Sequence, residues 1–108
     1  MIFFVTGGSR GIGAAIVREA VQAGHDVAFA YRKNEAEAFK VRDEARSAAP
    51  SARVLAYPLD VRDSADVERV GDAVLDELGR VDVAVSYSPD FTTAATRGFF
   101  SYSAMVFG

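Results

Sequence analysis

The 108-residue chain contains no cysteine, which excludes disulfides and thiolate metal sites and fits a reducing compartment. Histidine occurs once, as His25, and with no second ligand or nucleophile placed near it in the chain it reads as a solvated turn residue. The apolar run at the N-terminus, Ile2-Phe3-Phe4-Val5, is far too short for a signal peptide or a membrane span. A net charge of -3 with no concentrated basic stripe gives no reason to expect a nucleic acid or an anionic membrane as partner. Internal repeats and low-complexity linkers are also missing. These absences together describe a cytoplasmic chain.

The composition is that of an ordinary globular protein, 50% hydrophobic and 25% charged. At this length one small domain is expected, able to bury roughly two-thirds of the surface its unfolded form would expose.

The chain is organised around Thr6-Gly7-Gly8-Ser9-Arg10-Gly11-Ile12-Gly13, set between a short apolar strand and an amphipathic helix. Strand, glycine-rich turn and helix start make a phosphate cradle. Gly7 lets the chain leave the strand in a conformation other residues resist, Gly11 removes a side chain where a pyrophosphate would approach, and Gly13 allows close helix-to-strand packing. The unpaired N–H groups and the positive end of the helix dipole then face the anion. The spacing Gly-x-x-x-Gly-x-Gly differs from the Gly-x-Gly-x-x-Gly fingerprint, and no Gly-Lys-Ser/Thr follows to make a Walker A loop. A glycine-rich surface turn without a ligand is the plainer alternative for the stretch taken alone.

Further along, the chain alternates regularly. Ile2 to Val5 reads as a central parallel strand covered on both faces. A helix from about Gly11 to Ala23 carries Ile12, Ile16, Ala20 and Ala23 on one stripe and stops at Gly24. Val27 to Ala30 is a second strand. Asn34, with Glu37 three positions later, reads as a capping box that opens a helix to about Ala48, with Ala38, Val41, Ala45 and Ala48 as its stripe and Pro50 beyond it. Arg53 to Tyr57 is a third strand. Asp63 caps a helix with the stripe Val67, Val70, Val74 and Leu78, Gly79 ends it, and Val81 to Val85 is a fourth strand. Strands and helices joined by short connections imply an α/β fold, a Rossmann-type parallel sheet of order 3-2-1-4 flanked by helices, with a ligand over the switch between the first and fourth strands.

Thr-Gly-x-x-x-Gly-x-Gly, worded here as Thr-Gly-Gly-Ser-Arg-Gly-Ile-Gly, resembles the cofactor loop of the classical short-chain dehydrogenase/reductase superfamily, and the wording is close to that of its carbonyl and 3-oxoacyl reductase members. Leu59-Asp60-Val61 matches that family's short signature after the third strand. The resemblance implies a cofactor loop of Gly7, Ser9, Arg10, Gly11, Ile12 and Gly13. It places Tyr31 and Arg32 at the adenosine ribose, and it gives Asp60 the adenine amino group and Val61 the ring. Asp60 could equally orient its own turn.

At the end of the second strand Tyr31-Arg32-Lys33 offers no acidic residue for a free ribose 2′-hydroxyl. Arg10 and Arg32 match two positions where NADP-dependent family members often carry basic residues. Two charge-assisted hydrogen bonds of roughly 1.5 to 3 kcal/mol each would favour NADP over NAD by about two to four decades. NADP(H) is therefore the expected cofactor and NAD(H) the lesser one. The alternative is that Arg32 and Lys33 are merely solvated charges.

The resemblance is strong over residues 1–85 and fails afterward. The family usually shows Asn-Asn-Ala-Gly past the fourth strand; this chain has Ser86-Tyr87-Ser88-Pro89. Ser86 could still bond toward Thr6, but Tyr87 is bulky and Pro89 lacks both an N–H and the freedom of glycine. The family's catalytic Tyr-x-x-x-Lys pair is missing: four positions after Tyr31, Tyr57, Tyr87 and Tyr102 stand Glu35, Val61, Phe91 and Val106. No catalytic residue carries over. Phe99 to Phe107 is apolar, uncharged and strand-prone.

The expected organisation is an NAD(P)-binding Rossmann half-domain over 1–88 and a divergent apolar tail over 89–108, the sheet truncated after its fourth strand. An open edge there, or the tail, would be the route to any self-association; the alternative is a final strand that pairs with that edge. The activity implied by kinship is hydride transfer between NADPH and a carbonyl or alcohol, represented here by its cofactor-binding half. A non-catalytic nucleotide-binding module or an inactive remnant is the other reading. The substrate is not legible.

Overall fold

The computed structural model describes residues 1–6, 11–60, 62–86 and 104–107. In chain order these form β1 (Ile2–Thr6), α1 (Gly11–Gln22), β2 (Asp26–Tyr31), α2 (Glu35–Ala48), β3 (Val54–Pro58), α3 (Ser64–Leu78), β4 (Val83–Ser86) and β5 (Ala104–Phe107). The sheet order is β3-β2-β1-β4-β5 and every pairing is parallel. The expected order 3-2-1-4 is therefore present.

The sheet continues beyond β4. In register, Val83 to Ser86 face Ala104 to Phe107, so β5 supplies the hydrogen-bonding partner for the β4 edge. That corrects the expectation of a sheet ending at an open fourth strand, and with it self-association through the β4 edge. An uncharged, strand-prone run satisfies backbone groups that β4 would otherwise leave unpaired.

Strand alternation divides the core into two layers. On one face Val5, Val27, Phe29, Tyr31, Val83 and Val85 pack beneath α1 and α2. On the other, Ile2, Phe4, Ala28 and Ala30 pack against Val67, Val70, Val74 and Leu78 of α3. The α3 stripe is the expected one. That of α1 is rotated: Ala14, Val17, Ala20 and Val21 are buried, Ile16 is only partly covered, and Ala23 is exposed. In α2, Ala38, Val41 and Ala45 are buried as expected, whereas Ala48 is exposed.

Helix ends follow local chemistry. After α1, the Gly24 N–H reaches the Val21 carbonyl and the His25 N–H the Ala20 carbonyl, both at 3.0 Å, and Gly24 takes φ 89° to close this turn. Gly79 takes φ 86° at the end of α3. Asn34 occupies the N-cap position of α2, but its side chain makes no capping bond. Its ψ of 68° lies outside the extended range usual for a capping residue, so the expected capping box does not form. Glu35 and Glu37 still place negative charge on the first turn.

Asp63 does cap α3, accepting from the N–H groups of Ala65 at 3.0 Å and Asp66 at 3.3 Å. An Asp63→Ala variant should lose about 1 kcal/mol of stability. Thermal melts followed by circular dichroism should show the midpoint lowered by about 4–8 °C.

Asp82 ties β1 to the entry of β4. Its carboxylate accepts from the Ile2 N–H at 2.8 Å, and its own N–H donates to the Ile2 carbonyl at 2.8 Å. The Ile2 N–H holds the Asp82 carboxyl below its ordinary 3.8; partial burial opposes this, and Arg80 assists it. A carboxyl depressed in the folded state contributes stability that is present above its unfolded pKa and lost as pH falls through its folded pKa. The thermal midpoint should therefore hold steady down to about pH 5 and then decline, and Asp82→Asn should flatten part of that decline.

Candidate functional site

Because the strands are parallel, Thr6, Tyr31, Pro58 and Ser86 all end on one edge of the sheet. From β1 the chain passes to α1 on one face, and β4 is entered from α3 on the other. The two directions part between β1 and β4, which makes the carboxyl ends of these strands the topological switch point, the place where open parallel sheets bind ligands.

Gly11 begins α1 at this edge with φ 63°, and a Cβ built there would meet nothing within 4 Å. Its need for glycine is thus conformational rather than spatial, since an L side chain pays a strain cost at this angle. Gly13 is buried, as close packing of the helix requires. Thr6 is buried at the end of β1, directly across from Ser86 in register. Gly7, Ser9, Arg10 and Val61 lie outside the described residues, as does Tyr87-Ser88-Pro89.

At the end of β2 the expected pair separates. Tyr31 is 6% exposed and its ring meets Phe39 edge-on at 6.2 Å, within the α1–α2 core. Its carbonyl accepts from the Leu59 N–H at 2.8 Å, which joins the ends of β2 and β3. Arg32 and Lys33 instead stand exposed just beyond it, with no ion pair among the described residues.

The turn after β3 is densely bonded. Leu59 is buried, and the Asp60 carboxylate accepts from the Arg62 N–H at 3.0 Å and from the Arg62 guanidinium at 3.2 and 3.4 Å. Asp60 does orient its own turn, and with 42% of its side chain exposed it retains a face toward solvent. The Asp60 N–H donates to Asp66 on α3 at 2.8 Å. Asp66 also receives Arg69 at 2.7 Å, and Arg69 reaches the Pro58 carbonyl at 3.0 Å. Sequence reasoning missed Asp66 and Arg69; the repeated Asp at 60, 63 and 66 was the signal available.

The two tyrosines among the described residues, Tyr31 and Tyr57, both have phenols raised above their ordinary value. Burial raises the Tyr31 phenol above its ordinary value, with the Glu35 carboxylate adding to the shift. Tyr57 is raised by burial and by Glu77. Both move away from the lowered value an acid–base tyrosine needs near neutral pH. His25 is partly buried at the opposite end of β2, with Nδ1 2.9 Å from the Met1 amine and its ring 5.2 Å from Phe3. No helix among the described residues is long and apolar enough to cross a membrane.

A family model described as short chain dehydrogenase matches residues 1–87. A short chain dehydrogenase of Passalora fulva is 37% identical over 84 residues, covering 78% of this chain and 31% of that protein. The 2,3-dihydro-2,3-dihydroxybenzoate dehydrogenase of Bacillus subtilis is 35% identical over 86 residues, 79% of this chain and 31% of that protein. Among solved structures, a short-chain dehydrogenase/reductase from Serratia marcescens superposes with a TM-score of 0.73 at 34% identity, covering 79% of this chain and 34% of that one. A blue fluorescent protein from a metagenomic library, solved in complex with NADPH, gives a TM-score of 0.72 at 40% identity over 78% of this chain and 34% of its own. The chain spans about a third of the length of the curated relatives it matches. With the family model matching residues 1–87 and relatives alike in sequence as well as in fold, the chain belongs to the short chain dehydrogenase family.

Proposed function

We propose that residues 1–88 form the dinucleotide-binding part of an oxidoreductase that prefers NADP(H), in a cytoplasmic setting, with residues 89–108 as a divergent tail whose Ala104–Phe107 pairs with β4. The observation that carries this is the pairing of two features at one sheet edge. Gly11 opens α1 at a left-handed angle over free space, and Arg32 and Lys33 stand exposed and unpaired, among the described residues, at the end of β2. A pyrophosphate fits the first feature and a ribose 2′-phosphate the second. The residues present therefore fit the cofactor.

In this reading the backbone N–H groups at the start of α1 bind the pyrophosphate, with Gly7, Ser9, Ile12 and Gly13 shaping the loop. Arg10 and Arg32 bind the 2′-phosphate, Tyr31 supports the ribose position from beneath, and Asp60 and Val61 orient the adenine. NADPH, when bound, supplies the hydride for reduction of a carbonyl to an alcohol. NAD(H) would bind the same cradle more weakly, without the 2′-phosphate contacts.

A second reading, a nucleotide-binding module without turnover, is favoured by the raised Tyr31 and Tyr57 and by the missing Tyr-x-x-x-Lys pair. Calorimetric titration of the full chain with NADPH and then NADH tests the proposal. Tighter binding of NADPH is expected, and a folded chain that binds neither overturns it. Binding with no oxidation of NADPH across a panel of aldehydes and ketones would select the module.

A further inference from the structure

We infer that Asp66, braced by Arg69, is a positioning residue for the adenine end of the site. This inference rests on the dinucleotide reading above. Asp60 is the group expected to read the adenine amino group, yet it lies in a turn whose direction is set from α3. The Asp66 carboxylate accepts the Asp60 N–H at 2.8 Å, across six positions of sequence and past the Asp63 cap. A simple capping box would bond the N–H of the cap itself. Here that N–H, on Asp63, donates to the Asp60 carbonyl at 3.0 Å. The Asp60 peptide groups are thus held on both sides, the N–H by Asp66 and the carbonyl by Asp63.

Arg69 completes the brace. Its guanidinium bonds Asp66 at 2.7 and 3.0 Å and the Pro58 carbonyl at 3.0 Å. One side chain therefore ties α3 to the last residue of β3 and to the carboxylate that grips Asp60. The Asp66 carboxyl is held below its ordinary value, first by the Asp60 N–H and then by Arg69, so it stays ionised and accepting at neutral pH. Upstream, Leu59 is buried and its N–H is bonded to β2, which leaves the Asp60 side chain, 42% exposed and bonded to Arg62 within its own turn, as the part of the turn that can face a base with its remaining acceptor capacity. Fixing the backbone of Asp60 fixes where that carboxylate points. A carboxylate aimed at a base amino group discriminates bases by hydrogen-bond donor against acceptor.

The test compares NADPH with its reduced hypoxanthine analogue, in which the adenine amino group is replaced by a carbonyl oxygen. The wild-type full chain should prefer NADPH by about tenfold or more. Asp66→Asn should reduce that preference to near unity while leaving affinity for reduced nicotinamide mononucleotide, which carries no base, unchanged. Arg69→Ala, at a side chain 54% exposed, should move the preference in the same direction and remain folded should Asp66→Asn not. General loss of structure would weaken all three ligands together and leave no selective change in base preference.

Each contrary result is distinct. A wild-type chain that binds NADPH but does not discriminate between the bases overturns the role of Asp60 and this inference with it. Undiminished discrimination in folded Asp66→Asn, or in Arg69→Ala where that variant alone folds, overturns the inference and leaves the dinucleotide reading intact. A folded wild-type chain that binds neither dinucleotide overturns both.

Discussion

Replacing Arg10 and Arg32 together with alanine should weaken NADPH binding by about two to four decades while changing NADH binding far less. The asymmetry follows from charge. A 2′-phosphate offers a near-doubly charged group to two guanidinium donors, whereas a 2′-hydroxyl offers neither the charge nor the bidentate geometry. Arg32 is suited to this role because it stands exposed beyond β2, whereas Tyr31 beside it is committed to the core. Calorimetric titration of wild type, each single variant and the pair would measure the effect. Lys40, exposed on α2, serves as control: Lys40→Ala should leave both affinities alone. Equal losses for NADPH and NADH in the double variant would mean that these arginines shape the loop without reading the phosphate.

Phe29→Ala should remove about 3–5 kcal/mol of stability, the cost of deleting a fully buried aromatic ring. Phe29 is fully buried in β2, between Val5 of β1 and Ala56 of β3, and it packs into the α1–α2 layer. Its neighbours in that layer are themselves buried and packed, so the space left by the ring would be filled only in part. Against a total stability of about 5–15 kcal/mol, the change would take about a third to a half of a mid-range value. Equilibrium denaturation in urea should show the midpoint falling with little change in slope. A loss under 1 kcal/mol would mean that the layer repacks around the missing ring, contrary to the close packing seen here.

The two variants separate site from scaffold. The arginine pair should alter cofactor preference with little effect on the denaturation midpoint, since Arg32 makes no ion pair among the described residues. Phe29→Ala should alter the midpoint first, and affinity only through the fraction of chain that remains folded.

Much of this protein was legible in its residue order because the relevant physics is local. Period and punctuation placed three helices and the first four strands. Gly24 and Gly79 ended their helices through positive φ, Asp63 capped α3, and Val67, Val70, Val74 and Leu78 marked its buried stripe. Short connections between alternating elements then left the order 3-2-1-4 as the natural sheet. The glycine loop and Asp60 stood out because a run of glycines and the short Leu59-Asp60-Val61 signature after a strand are written in consecutive residues.

Tertiary structure alone decided the rest, where a residue's role depends on elements far away in the chain. The α1 sequence is apolar on more than one side, and contact with both the sheet and α2 selected Ala14, Val17 and Val21 over Ile16 and Ala23. The backbone angle at Asn34 cancelled a capping box that its spacing promised. Tyr31 belonged to the core because α2 laid Phe39 against it. Pairing of Ala104–Phe107 on β4 extended the sheet across a separation in sequence that no local pattern spans. Asp66 gained its hold on Asp60 only when α3 folded back beside the end of β3. Propensity and periodicity act over a few residues, whereas burial, register and cross-element hydrogen bonds exist only once the chain has closed on itself.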